Sequence, residues 1–386
     1  MDNLPTTWED WIANFEQWQE RVGFDKTWLG DFDLSIQFDW DRAGDSIEFG
    51  DYKGRAKWER SLQVPHQSMR DALITMITVQ GDTEFASVEQ QRHLLASAPT
   101  DFDRYSAARI MAEEQRHGWQ MAYLLMTYFG QQGRREAQKL LERNAQDGDR
   151  LLGAFNIPMP HWLDFFCYTM FVDRDGKFQL GMLSTSAFKP LAASMGPMLK
   201  EEAFHLGTGF NGLRRIVKAG VLPLDMLQRY INKWVSTAHD LFGVDASSSA
   251  HWAYVWGIKG RWDERNKLDS EIEVDKETLN EEARGHYHDE IVREVEKLNK
   301  YLPKDADKLY VPHENFNRSI GLTKKQNHNT DGSKFEGSDE EWKTYIINNL
   351  PTKEDEESLK EFFKQEWIEN KPMSTSQIES GIGATA

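Results

Sequence analysis

Residues 111–121 read MAEEQRHGWQM and hold Glu114 and His117 three positions apart, a spacing that puts a carboxylate and an imidazole on one face of an α-helix. A second copy lies at 200–209, KEEAFHLGTG, where Glu202 and His205 repeat the interval. A chain of 386 residues with 63 acidic residues and 11 His yields about two acid-x-x-His matches by chance, so the spacing alone carries little weight. The doubled Glu in both copies, EEQRH and EEAFH, and the apolar helical setting of each carry more.

Outward from these copies the pattern is duplicated. A helix over about 67–95 has Leu73, Ile77, Glu84 and Val88 on one stripe, with Gly81 interrupting it. The next, opened by the cap candidates Thr100 and Asp101 and closed by Gly130, aligns Ile110, Glu114, His117, Met121, Leu124 and Tyr128. A polar helix from Gly133 to about Gly148 reads as a solvated connector. Then Trp162, Phe166, Thr169 and Asp173 share a face, and Leu191, Met195, Met198, Glu202 and His205 share another, with Gly196 and Pro197 expected to kink that helix. Glu84 to Glu114 is 30 residues and Asp173 to Glu202 is 29. One helix with a carboxylate and one with Glu-x-x-His, given twice, is the arrangement of carboxylate-bridged di-metal four-helix bundles.

The expected fold is therefore all-α: a ferritin-like four-helix bundle with a di-metal core, further peripheral helices, and a small N-terminal hairpin from the alternations FDLSIQFDW and SIEFG. The expected division is a helix and hairpin over 1–60, the bundle over 61–215, a helical extension over 216–370 and a disordered tail over 371–386. The aromatic stretch SSSAHWAYVWGIKGRW, at 247–262, is expected to line an entrance.

Acids and imidazoles on apolar stripes cannot stay there as bare charges, because an unpaired buried ion costs far more than its neighbours' burial returns. Four carboxylates balance two divalent cations, and oxygen with imidazole nitrogen suits iron or manganese, iron being favoured for chemistry with O₂. Glu113 and Glu201 stay open as alternatives, since each also faces the way of its His at four positions. DRDG at 173–176 resembles the start of a calcium loop but has Ser184 where an acid is needed. His286 and His288 fall in EEARGHYHDE, which reads as a solvated helix without an apolar face.

A net charge of −17 disfavours nucleic acid and anionic lipid as partners. The single Cys, Cys167, excludes an internal disulfide and an iron–sulfur cluster held by this chain alone. No signal-like or membrane-spanning apolar run is present, so the cytoplasm is the expected location.

Several stretches resemble one family: VQGDTEFASVEQQRHL (79–94), EEQRHGWQMAYLLMTYFG (113–130), FVDRDGKFQL (171–180), SAFKPLAASMGPMLKEEAFHL (186–206), GIKGRW (257–262) and VPHENFNRSIG (311–321). The chain is similar in these to the oxygenase components of benzoyl-CoA 2,3-epoxidase, themselves related to the catalytic subunit of phenylacetyl-CoA epoxidase. The resemblance implies a di-iron site of Glu84, Glu114, His117, Asp173, Glu202 and His205, choosing the second Glu of each pair. It also implies insertion of one oxygen of O₂ into an aromatic ring carried as a CoA thioester, with electrons from a separate NADPH-dependent flavin and iron–sulfur reductase. On that reading Gln80, one turn before Glu84, is the expected further catalytic residue, and Gly81 and Gly118 are expected to leave room for substrate. Arg214, Arg215, Lys218, Lys259 and Arg261 are the candidates for receiving the CoA tail. The expected partners are an aryl-CoA, the reductase and, as a candidate, a second copy in a homodimer. The alternative is a ferritin-like di-iron protein of another class, either a hydroxylase of a different acyl or aryl substrate or a ferroxidase; a radical-harbouring subunit is disfavoured by Met121 one turn after His117.

Overall fold

The computed structural model describes residues 4–245, 247–265, 275–321, 323–363 and 367–384, and among these the chain is helical without a β-strand. Helix α1 (Trp8–Val22) opens on a capping box between Thr7 and Asp10 and closes where Gly23 turns left-handed at a φ of 71°. Its buried stripe of Trp11, Phe15 and Trp18 packs on the rings of Phe85 and Trp119. After the short α2 (Trp40–Ala43) come α3 (Gln67–Gln91), α4 (Asp101–Tyr128), α5 (Gly130–Glu142), α6 (Trp162–Leu183) and α7 (Lys189–Ala219). Helix α3 packs along α4 and α6 along α7, and α4 meets α7 between the pairs.

Close approach within the pairs depends on glycine. A Cβ on Gly118 of α4 would sit 2.6 Å from Phe85 Cζ of α3, and one on Gly81 would sit 2.9 Å from both Met121 Cβ and Leu140 Cδ1. Gly212 of α7 likewise admits the Phe166 ring of α6. Gly81 and Gly118 thus do not hold space open for substrate: neighbouring helices and rings already occupy it.

Pro197 lies inside α7, and the helix runs through it. Proline has no N–H to give the carbonyl four residues back, which is that of Ala193, and the Asp39 amide donates to it instead at 2.8 Å. Gly196 lets this segment approach, since its Cβ would stand 3.0 Å from Asp39 Cβ. The same segment takes a side-chain acceptor from α4, Gln37 N donating to Gln120 Oε1 at 2.8 Å. Here the N-terminal hairpin expectation is corrected. Within the alternating residues 32–39 the Gln37 and Asp39 amides bond to α4 and α7 rather than to a partner strand, Trp40–Ala43 is helical, and an isolated antiparallel bridge joins Ser46 to Ala56.

Beyond the bundle lie α8 (Leu224–Leu241), α9 (Ser248–Val255), α10 (Leu279–Asn299), α11 (Asp339–Asn349), α12 (Lys353–Phe362) and α13 (Thr375–Glu379). Helix α8 packs on α6, and α10 touches both α6 and α7. The charged sequence of α10 conceals a buried stripe of Leu279, Ala283, Tyr287, Ile291, Val295 and Leu298, and Tyr287 Oη donates to Phe171 O at 3.0 Å. His286 is exposed as expected, though it lies on the Trp262 ring, whereas His288 is half-buried with its Nδ1 3.3 Å from His239 Nε2. The tail expected to be disordered carries α13, and Asp31 N donates to Ser380 O and Gly383 N to Trp28 O, each at 2.9 Å. No helix among the described residues is long and apolar enough to cross a membrane.

The connection from α5 to α6 is exposed over 146–149, as expected, and is then pinned at Arg150. Arg150, its side chain fully buried, donates to Asp82 Oδ1 at 3.0 Å, Glu89 Oε1 at 2.7 Å and Leu140 O at 3.0 Å. Replacing it leaves Glu89 without its cation and Asp82 with only the more distant Arg143. Arg150→Met is expected to destabilise the protein by about 3–5 kcal/mol, measured as a lowered denaturant midpoint.

Candidate metal centre

All four bundle helices deliver side chains to one buried point: Glu84 from α3, Glu114 and His117 from α4, Asp173 from α6, and Glu202 and His205 from α7. Donor atoms of Glu84, Glu114 and His117 lie within 4.8 Å of one another, as do those of Glu114, Asp173 and His205. Glu114 belongs to both groups. His117 Nδ1 is 3.3 Å from Glu84 Oε2. His205 Nδ1 is 3.6 Å from Glu114 Oε1 and Glu202 Oε2, and 3.8 Å from Asp173 Oδ2. The two imidazole centroids are 6.2 Å apart.

Nδ1 of both histidines, Asp173 Oδ2 and Glu202 Oε2 are buried without a hydrogen-bond partner. Interiors rarely tolerate such atoms, and here four of them converge. The donor set fits a pair of hard or borderline cations bound by carboxylate oxygen and imidazole nitrogen.

The outer nitrogens of the imidazoles are held in a crossed pattern. His117 Nε2 lies 2.8 Å from Glu201 Oε2 of α7, and His205 Nε2 lies 3.0 Å from Glu113 Oε2 of α4. In each doubled Glu, then, the second member faces the centre and the first reaches the histidine of the opposite helix. Arg116 pairs with Glu201, and Arg109 Nε donates to Glu113 Oε1 at 2.9 Å. The second copy has Phe204 where the first has Arg116, and Arg109 covers that ring at 4.1 Å. Sequence spacing did not reveal this crossing, since an Arg three residues from a Glu is also what an exposed helix displays.

Electrostatics follow from burial and crowding. Burial and the adjacent Glu84 charge push Glu114 well above the usual carboxylate range, and burial does the same to Asp173. Burial presses Glu84 upward too, but the neighbouring Glu114 carboxyl and the His117 imidazole outweigh it and hold it low. Burial also raises Glu201, yet the His117 and Arg116 contacts bring it down to about 2. Glu201 is thus ionised and accepts only, so His117 Nε2 carries the proton and Nδ1 turns toward the centre. Burial disfavours the His117 cation, while Glu201 and Glu84 raise its pKa to about 9. The inward proton is therefore the one a metal would replace.

A cavity of about 290 Å³ opens against Glu84, Glu114, Asp173 and Glu202 and is walled by Val79, Phe155, Tyr168, Val172 and Leu183. Gln80 also lines it and donates from Nε2 to Glu84 Oε1 at 2.6 Å. The five expected basic residues do not form one cluster. Arg215 is buried against Asp103, Arg214 and Lys218 lie by the Tyr301 ring, and Arg261 donates to Glu264. Only Lys259 borders the cavity.

Fold and site together define a ferritin-like helical bundle built around a buried cluster of carboxylates and imidazoles able to hold metal ions. The chain belongs to the family of phenylacetic acid catabolic proteins, which its residues 59–315 match. It is 39% identical over 352 residues to benzoyl-CoA oxygenase component B of Aromatoleum evansii, covering 80% of this chain and 73% of that one. It is 24% identical over 236 residues to a 1,2-phenylacetyl-CoA epoxidase subunit of Escherichia coli (strain K12), covering 61% of this chain and 69% of that one. This kinship makes the chain an enzyme of the oxygenase and epoxidase type.

Glu201→Gln keeps the shape of the side chain but removes the anion that orients His117. Metal affinity is expected to fall about 10–100-fold, read by competition with a chromophoric chelator, while the helical circular dichroism stays unchanged.

Proposed function

We propose that the chain is the oxygenase component of a multi-component cytoplasmic system that converts the aromatic ring of an aryl-CoA, such as benzoyl-CoA, to an epoxide. One O₂, two electrons and two protons enter, one oxygen goes to the ring and the other leaves as water. The observation that carries the reading is the shared Glu114, which joins two carboxylate–imidazole groups whose inward atoms lack partners, beside a cavity with apolar walls. Glu84, Glu114, His117, Asp173, Glu202 and His205 would hold two iron ions. When bound, the pair supplies redox activation of O₂ by electrons from a separate NADPH-dependent flavin and iron–sulfur reductase. With Cys167 as its single cysteine, this chain needs such a partner for any cysteine-ligated cluster.

The remaining work falls to the protein. Glu113 and Glu201 fix the ring planes of the two histidines and keep the tautomer that presents Nδ1 inward. Gln80 holds one Glu84 oxygen, which limits the rotamers open to that carboxylate when charge at the centre changes. Val79, Phe155, Tyr168 and Val172 exclude water and give a flat ring a dry wall to lie against. That wall favours oxidation of an organic substrate over the ferroxidase alternative, which has no use for an apolar chamber beside the metals.

The purified protein is expected to contain two irons per chain and, with a reductase, to convert benzoyl-CoA to an oxygenated product labelled from ¹⁸O₂. Zinc alone, or no product with any aryl-CoA, would sink the reading. Gln80→Ala is expected to keep its iron but to consume reductant without matching product, measured as the ratio of product to NADPH. Because the metal-binding energy is also folding energy, chelation is expected to lower the melting temperature, and His117→Ala to abolish that difference.

A further inference from the structure

The inner cavity has a neighbour. A second cavity of about 170 Å³ is lined by Met182, Val244, Ala250, Ala253, Leu279 and others, and Met76 and Lys259 belong to the walls of both. These two side chains therefore form a neck between a chamber that reaches the carboxylates and one that reaches the loop before α9. The neck is fixed in place by backbone bonds. Ala187 N donates to Gly257 O at 2.7 Å, Lys259 N to Ala253 O at 3.1 Å and Gly260 N to Met182 O at 3.1 Å, which ties the GIKG turn to the end of α6.

Lys259 is an unusual residue to find there. Its Nζ donates to the neutral Gln179 Oε1 at 2.7 Å rather than to a carboxylate. Burial pushes its ammonium down, with Asp175 and Asp245 pulling the other way. An ammonium has three N–H donors, so an oxygen acceptor arriving at the neck would find donors available. The other wall residue, Met76, is flexible and apolar and suits a sulfur or methylene contact.

We infer that Lys259 is a positioning residue that donates a hydrogen bond to the thioester carbonyl at the neck, with the aromatic ring in the inner chamber and the pantetheine arm in the outer one. A phosphate is the less fitting acceptor. The whole pantetheine arm separates the CoA phosphates from the thioester, and a chamber of about 290 Å³ cannot take that arm together with the ring. The assignment rests on the aryl-CoA reading and adds to it the point at which the substrate is gripped.

The test compares wild type, Lys259→Met and Lys259→Arg as iron-loaded proteins with reductase, using benzoyl-CoA, S-benzoyl pantetheine, which lacks the phosphates, and free benzoate. Lys259→Met is expected to keep its iron content and melting temperature. It should weaken binding of both thioesters about tenfold or more, leave benzoate unchanged and lower the product-to-NADPH ratio, with Lys259→Arg recovering part of the loss. Unchanged thioester binding and coupling in Lys259→Met overturns the assignment. So does a loss confined to benzoyl-CoA, which marks a phosphate contact. Wild type inactive on every aryl-CoA overturns the proposed function itself, and the two failures are thereby distinguished. Should Lys259→Met lose its fold, Gln179→Leu, which frees the same ammonium from its acceptor, is expected to alter the affinity for both thioesters and not for benzoate; no change in that variant also overturns the assignment.

Discussion

Everything in this bundle answers to the cost of placing four carboxylates and two imidazoles in a dry interior. An ionised group without a partner there is far more expensive than any neighbouring apolar contact is favourable. The mutual field of these groups pushes Glu114 and Asp173 toward their neutral forms and draws both imidazoles toward their charged ones. Two divalent cations satisfy the same field with more charge in less space. Each metal bound must displace protons, so affinity rises with pH over the range in which these groups titrate.

The outer residues stabilise that arrangement without touching the centre. Glu113 and Glu201 each cross to the other helix, so α4 and α7 are fastened together by the same bonds that set the histidine tautomers. Arg116 and Arg109 balance those two acids, one from inside EEQRH and the other from a turn earlier. The glycines at 118 and 212 act on the same geometry from the packing side. By admitting Phe85 and Phe166 they bring α3 to α4 and α6 to α7 close enough for short carboxylate side chains to meet.

Much of this was legible in the sequence because period and chemistry coincide. Glu84, Glu114, Asp173 and Glu202 stand on apolar stripes where a core residue belongs, which identified four helices and brought six side chains to one place. What depended on contacts between helices was not legible. The roles of Glu113 and Glu201 follow from a crossing that no single helix encodes. The glycines at 81 and 118 look alike in sequence whether a helix or a substrate fills the gap. The segment 32–39 alternates like a strand, but Pro197 had already left the Ala193 carbonyl seeking a donor, and Asp39 answers it. In α10, one apolar side chain per turn suffices to bury the helix, and the surrounding charge masked that stripe.

The division between bundle and extension separates two tasks. The six carboxylate and imidazole side chains of the cluster come from α3, α4, α6 and α7, whereas the outer chamber is walled mostly by α9, the start of α10 and the loops around Val244 and Gly260, against Met76 and Met182 of the bundle. A bundle alone would leave the cavity open on that side, because Leu241 and Lys259, two of its lining residues, lie outside it. The extension thus shapes the walls of both chambers through Lys259 without supplying a single donor atom to the carboxylate–imidazole cluster.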